Sequence, residues 1–267
     1  MALDPAVLSP GQQYVPGILG GLGPLSHVQF EREILARSHQ RGARGDRDHP
    51  VWLVASAAST PGRTGALLEG GESPLFHLTA FAKLLEQSGA DALFVVCNTA
   101  HAWHAEVQRT LGIPWAHLME LVAEAVRARH PAGTKVGLLA TDGTLSAGLY
   151  QRAFAARDLV AVNPQIGSTI QARVGAAIGD PTTGIKATGD RVTRDAREHL
   201  LAAARWCVAQ GAEVVVPACT EVSVGLPPEL FPEAPLVDPL GVAADVLLDL
   251  ASGRRGPASL YLTHAAR

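Results

Sequence analysis

Cys97 and Cys219 each end an apolar run, and each is followed by small polar residues: VVCNTAH over 95–101 and PACTE over 217–221. A free thiol titrates near about 8.5, and a helix N-terminus lowers that value, so two cysteines can hold one thiolate and one thiol together near neutral pH. Two such groups on opposite sides of one carbon could take a proton from one face and return one to the other. That is the chemistry of racemisation, and exchange of the two roles runs it backwards. Asn98, Thr99 and Thr220 add an amide, hydroxyls and backbone N–H groups at the expected start of a helix, donors suited to a substrate carboxylate. The alternative reading of each cysteine is a small apolar residue closing a strand, since unpaired Cys is among the most buried residue types.

Repetition favours the chemical reading. HLTAFAKLLEQSGADALFVVC (77–97) aligns without gaps on HLLAAARWCVAQGAEVVVPAC (199–219), matching His77/His199, Leu78/Leu200, Ala82/Ala204, Gly89/Gly211, Ala90/Ala212 and Cys97/Cys219. Asp91/Glu213 and Lys83/Arg205 keep their charge. A second block pairs GILGGLGPLSHVQFER (17–32) with GLLATDGTLSAGLYQR (137–152), matching Gly17/Gly137, Leu19/Leu139 and Gly23/Gly143. Cys207 serves as an internal control: its counterpart is Leu85, and it reads as core.

The elements that must position these thiols follow from the hydrophobic pattern. Short β-type runs (VPGILG, VWLVA, LFVV, KVGLLA, LVAV, EVVVP) alternate with helical spacing over 26–38, 74–88, 99–111, 145–156, 186–210 and 239–252. Such alternation predicts an α/β chain of two pseudo-symmetric lobes, each a small parallel sheet flanked by helices. The expected division is 1–114 plus 235–267 for the lobe of Cys97, and 115–234 for the lobe of Cys219. Each cysteine would stand at the carboxyl end of a strand, the edge at which open α/β sheets bind ligands. The active site is expected in the cleft between the lobes, with one cysteine on each wall.

Composition narrows the classes. The 267 residues carry 22 Lys and Arg against 25 Asp and Glu, a formal charge of −3 with no long basic stripe, so nucleic acid is not an expected partner. No apolar run approaches the roughly 20 residues of a membrane helix, and the N-terminus lacks a secretory pattern, which reads as a cytoplasmic protein without membrane attachment. Three cysteines do not suggest a disulfide framework. GILGGLGPLS is out of register with a dinucleotide fingerprint, because Ser26 stands where the third Gly or Ala belongs; it reads instead as a turn giving close backbone approach to a small carboxylate. Cys97, His101 and His104 have a spacing that could suggest a metal, but no second cluster completes it; no metal is expected, and His101 reads as a supporting residue rather than a base.

The stretches GILGGLGP, STPGRT, VVCNTAH, VGLLATDGT and PACTE, spread over nearly the whole chain, resemble the aspartate/glutamate racemase superfamily, and within it the aspartate racemase-like, cofactor-independent amino-acid racemases. The resemblance implies an isomerase acting on a small amino acid without pyridoxal phosphate, as a homodimer. It places the catalytic cysteines at Cys97 and Cys219 and the carboxylate site at Asn98, Thr99, Thr141 and Thr220. Arg63 of STPGRT and Lys186 of GIKATGD match the cations associated with the distal carboxylate of aspartate. Val96, Ala218, Gly62 and Leu22 depart from the residues common in the family, and none of them removes an expected acid or base. Two other readings keep the same residues: a decarboxylase or cis–trans isomerase of a small diacid, and a non-catalytic protein that binds a small carboxylate.

Overall fold

The computed structural model describes residues 3–262. It divides into two compact units: Met1–Ala66, Gly70–Leu118 and Leu240–Arg267 form the first, and Leu67–Glu69 with Met119–Pro239 form the second. Apart from the three residues Leu67–Glu69, the chain passes between units at 118/119 and 239/240, where the sequence reading has 114/115 and 234/235.

The first unit contains a parallel sheet of β1 (Pro16–Gly20), β2 (Leu53–Ser56) and β3 (Ala92–Val95) in the order β2-β1-β3. The second contains β4 (Lys135–Leu139), β5 (Val160–Val162) and β6 (Val214–Pro217) in the order β5-β4-β6, again parallel. Each sheet therefore begins on its central strand, moves to one edge, and returns to the other side through helices. The central strands and β3 and β6 are buried almost throughout, which explains their uninterrupted apolar runs. The edge strands β2 and β5 are partly exposed, with Val54 and Val160 facing solvent.

The repeat has a physical basis in each unit. Helix Leu75–Gln87 buries Leu78, Ala82 and Leu85, and helix Arg194–Ala209 buries their repeat partners Leu200, Ala204 and Cys207. Each helix lies so close to its central strand that only glycine fits beneath it. A Cβ on Gly17 would lie 2.8 Å from Ala90 Cβ and 3.4 Å from Leu85 Cβ, and one on Gly137 2.8 Å from Cys207 Cβ and 3.3 Å from Ala212 Cβ. Gly89 and Gly211 then end the helices in the left-handed region, at φ +100° and +92°. Asp91 Oδ2 accepts from the amide of Val15 just before β1, as Glu213 Oε1 accepts from the amide of Lys135, the first residue of β4. The conserved charge of that pair is thus used to seat the central strand.

Several elements differ from the expected pattern. Residues 99–111 form a 3-10 segment (Thr99–Trp103) and a single helical turn (His104–Gln108) instead of one helix. A spacing of three residues nearly eclipses side chains in 3-10 geometry. It sets the rings of His101 and His104 parallel, 6.4 Å apart, with both buried. Residues 145–156 are broken at Gly148, whose φ of +61° no helix tolerates. The helices Leu118–Arg127 and Thr169–Gly179 have no counterpart in the expected pattern. No helix among the described residues is long and apolar enough to cross a membrane.

Candidate functional site

In the first unit the chain leaves β3 at Val95 and reaches Cys97 two residues later; in the second it leaves β6 at Pro217 and reaches Cys219 after the same step. Both thiols are free. Cys97 is half-buried, whereas Cys219 is 8 % exposed. Cys207, inside its helix, is fully buried, and burial pushes its thiol up to about 12; it has the core role its repeat partner Leu85 suggested.

Asn98 and Thr99 follow Cys97 and are buried, Asn98 at the cap of the 3-10 segment. His101 holds this turn. Its Nε2 lies 3.1 Å from Trp115 Nε1 and 3.2 Å from the amide of Leu118, both obligate donors, so that nitrogen must be unprotonated. The proton is then on Nδ1, which donates to the Cys97 carbonyl at 2.9 Å. Burial, and then the neighbouring His104, hold His101 down at about 3, so the ring is neutral. His104 Nε2 donates in turn to the Trp115 carbonyl at 2.9 Å, and burial lowers its titration as well. The His101 imidazole is thus committed to the backbone at Cys97 and Leu118, and that of His104 to the backbone at Trp115. Among the described residues no group of three or more His, Cys, Asp or Glu is arranged to hold a metal ion.

Arg63 lies in the same unit, at the start of helix Arg63–Leu68. Its Nη1 donates to the carbonyls of Thr60 and Pro61, each at 3.1 Å, and its Nη2 to that of Leu22. These bonds take three of the five guanidinium N–H groups and leave Nε–H and one Nη2–H. Among the described residues Arg63 has no carboxylate partner.

The glycine-rich turn after β1 is filled by the protein itself. A Cβ on Gly20 would come within 2.4 Å of His27 Cβ, and one on Gly21, at φ +82°, within 2.4 Å of the amide nitrogen of Ala57. The close approach that the glycines permit on the Cβ side of these two positions is to His27 and the 57–58 backbone.

In the second unit Thr141 caps helix Asp142–Ser146, its Oγ1 accepting from the Thr144 amide at 3.2 Å. Cys219 caps Thr220–Gly225, and its carbonyl receives the amides of Val222 and Ser223. Its Sγ donates to Glu221 Oε2 at 2.9 Å, and the Thr220 hydroxyl donates to the same oxygen at 3.1 Å. Glu221 Oε1 is paired with the Lys186 ammonium. Burial pushes the Cys219 thiol well above its ordinary range, and the Glu221 charge pushes it further; Lys186 offsets part of this. Burial also opposes ionisation of Glu221, yet Lys186, the Cys219 thiol and its own backbone amide together hold it below the usual carboxylate range.

Cys97, Asn98, Thr99 and Arg63 thus belong to one unit and Thr141, Lys186, Cys219 and Thr220 to the other, where Glu221 brings Lys186, Cys219 and Thr220 together. Glu221 is the participant that sequence reading passed over. It stands in the quoted PACTE stretch, but its repeat partner is Thr99, so the repeat gives no sign that a carboxylate belongs there.

Similarity to known proteins extends over most of the chain. A family model described as Asp/Glu/Hydantoin racemase matches residues 19–247. The chain is 25% identical over 226 residues, 83% of its length and 91% of the relative's, to the broad specificity amino-acid racemase RacX of Bacillus subtilis (strain 168). Among solved structures it is similar to an aspartate racemase of Picrophilus torridus, with TM-score 0.74, 25% identity, and coverage of 90% of this chain and 94% of that one. It shares its fold with a glutamate racemase of Bacillus anthracis, with TM-score 0.64, 17% identity, and coverage of 91% and 83%. With two thiols at equivalent strand ends and a family match over most of its length, the chain belongs to the Asp/Glu/Hydantoin racemase family and is an isomerase.

Proposed function

We propose that the protein is a cofactor-independent racemase of aspartate or a related acidic amino acid, working by two-base transfer of the α-proton. The observation that carries this reading is the repetition of a free thiol two residues beyond β3 and β6, in units of the same sheet order. Two-base racemisation needs one acid/base group for each face of the α-carbon, and each unit supplies one. Cys97 or Cys219, as thiolate, takes the α-proton; the other, as thiol, returns a proton to the opposite face. Asn98 and Thr99 follow β3, Thr141 follows β4 and Thr220 follows β6, and their donors would answer charge developing on the α-carboxylate, the Thr220 hydroxyl by turning from Glu221.

Arg63 supports an acidic substrate. Its charge is held by carbonyl dipoles and answered by no protein carboxylate among the described residues, and its two remaining N–H groups suit a carboxylate oxygen. Lys186 is paired with Glu221 in the structure, so an acidic substrate would have to compete for it. The broad specificity for which the Bacillus subtilis relative is named argues for testing neutral side chains as well. The homodimer implied by the resemblance and the cytoplasmic location expected from the sequence belong to the same proposal, and sedimentation velocity reads the first. The test of the activity is loss of the α-proton NMR signal in D₂O across L- and D-amino acids, beginning with aspartate and glutamate. Exchange from both enantiomers of one amino acid establishes the racemase; silence across the panel from folded, reduced protein removes it.

A further inference from the structure

Cys219, Glu221 and Lys186 form one chain of polar contacts inside the second unit. The thiol and the Thr220 hydroxyl both donate to Glu221 Oε2, at 2.9 and 3.1 Å, and the Lys186 ammonium is paired with Oε1. Glu221 is only 6 % exposed, so these partners rather than water determine its charge. An ionised carboxylate can only accept, which requires the shared proton of the thiol contact to lie on sulfur. The free groups point the same way, a carboxyl titrating near about 4.3 and a thiol near about 8.5. A cation on the far oxygen strengthens that preference.

We propose that Glu221 is a positioning residue that fixes the proton on Cys219, so that the free protein presents Cys219 as the acid and leaves Cys97 as the base for the first proton transfer. The catalytic meaning of this rests on the two-cysteine racemase reading, whereas the hold on the thiol does not. When Cys219 acts, its S–H bond breaks, a C–H bond forms at the substrate carbanion, and the electron pair stays on sulfur. The thiolate then lies against the Glu221 carboxylate, two anions in contact with Lys186 as their shared counter-ion. Tyr150, from helix Leu149–Ala155, is a further ionisable group in electrostatic contact with Cys219. Burial, with the charges of Asp238 and Cys219, pushes it up, and it stays neutral throughout the working range. A turnover that begins on the Cys219 thiolate therefore starts from a disfavoured form. Enantiomers are equal in free energy, so kcat/KM must be the same in both directions; the bias falls on how each direction divides it between kcat and KM.

The hold can be read without a substrate. Peptide-resolved iodoacetamide labelling against pH gives separate titration midpoints for Cys97, Cys207 and Cys219. Glu221→Gln removes the carboxylate charge and releases Lys186, so the Cys219 midpoint should fall by at least about one pH unit, roughly a tenfold gain in labelling rate below it. Lys186→Met should raise that midpoint, and the Cys97 and Cys207 midpoints should stay in place in both variants. An unchanged or higher Cys219 midpoint in Glu221→Gln overturns the proposal. If circular dichroism shows that variant unfolded, Lys186→Met decides, and an unmoved midpoint there overturns it equally. Racemisation is assayed on the same preparations. A shifted midpoint in a protein that racemises nothing removes the functional reading and leaves the hold of Glu221 standing, so the two failures are distinct.

Discussion

The imidazole of His101 donates through Nδ1 to the carbonyl of Cys97 at 2.9 Å, while its Nε2 receives the indole N–H of Trp115 and the amide of Leu118. One neutral ring thus ties the cysteine turn to the segment around Trp115, which forms an isolated parallel bridge with Leu93 of β3. In the unfolded chain His101 takes up a proton near its ordinary 6.5, and in the folded chain not until about 3. The unfolded state therefore binds more protons between those values, and stability must fall as pH drops through that window. The expected loss is on the order of 2 kcal/mol between about pH 6.5 and pH 5 from this residue alone, with His104 adding in the same direction. Urea titrations at several pH values measure it. His101→Gln, which cannot titrate, should flatten the slope down to the share of His104; an unchanged slope would show that the ring is not kept neutral.

Close packing under the helix should make Gly137→Ala costly. The new methyl group would meet Cys207 Cβ at 2.8 Å and Val215 Cγ2 at 3.1 Å, and both belong to a buried helix–strand contact with no room to yield. A loss of about 1–3 kcal/mol is expected from overpacking of this kind. Gly175→Ala is the control, since a Cβ there meets nothing within 4 Å inside helix Thr169–Gly179; it should be neutral or slightly stabilising. Equal thermal midpoints for the two variants would remove the packing explanation of the Gly17/Gly137 repeat.

Arg63→Lys keeps the charge but loses the planar fork that grips Leu22, Thr60 and Pro61. The expected result is a rise in KM for aspartate of about tenfold or more, with a smaller effect on any amino acid lacking a distal carboxylate. Steady-state kinetics on aspartate and alanine checks this. Parallel changes for both substrates would assign Arg63 to loop structure alone.

Much of this architecture could be read from the chain because the repeat reports on backbone geometry. Gly17/Gly137, Gly89/Gly211 and Asp91/Glu213 recur because strand seating and helix ending allow few residue types at those points. The two strand-end thiols were legible for the same reason. Features that depend on one unit only were not. Glu221 has Thr99 as its repeat partner, and the buried His101–His104 stack depends on a 3-10 segment that hydrophobic spacing reads as ordinary helix. At Gly20 and Gly21 the missing Cβ admits His27 and the backbone at Ala57, neighbours that no pattern in the sequence names. The helix Thr169–Gly179, with small residues over much of its length and Ser168 as its cap, gives little periodic signal to find.

Transfer of the α-proton between two thiols is tested most directly by NMR and chiral analysis of L- and D-aspartate in D₂O with the unaltered protein, Cys97→Ala and Cys219→Ala. The unaltered protein should exchange the α-proton of both enantiomers and interconvert them. Each variant should lose interconversion, and each should retain exchange from no more than one enantiomer, a different one in the two cases. Equal residual racemisation in both variants would contradict a mechanism in which Cys97 and Cys219 serve opposite faces of one carbon.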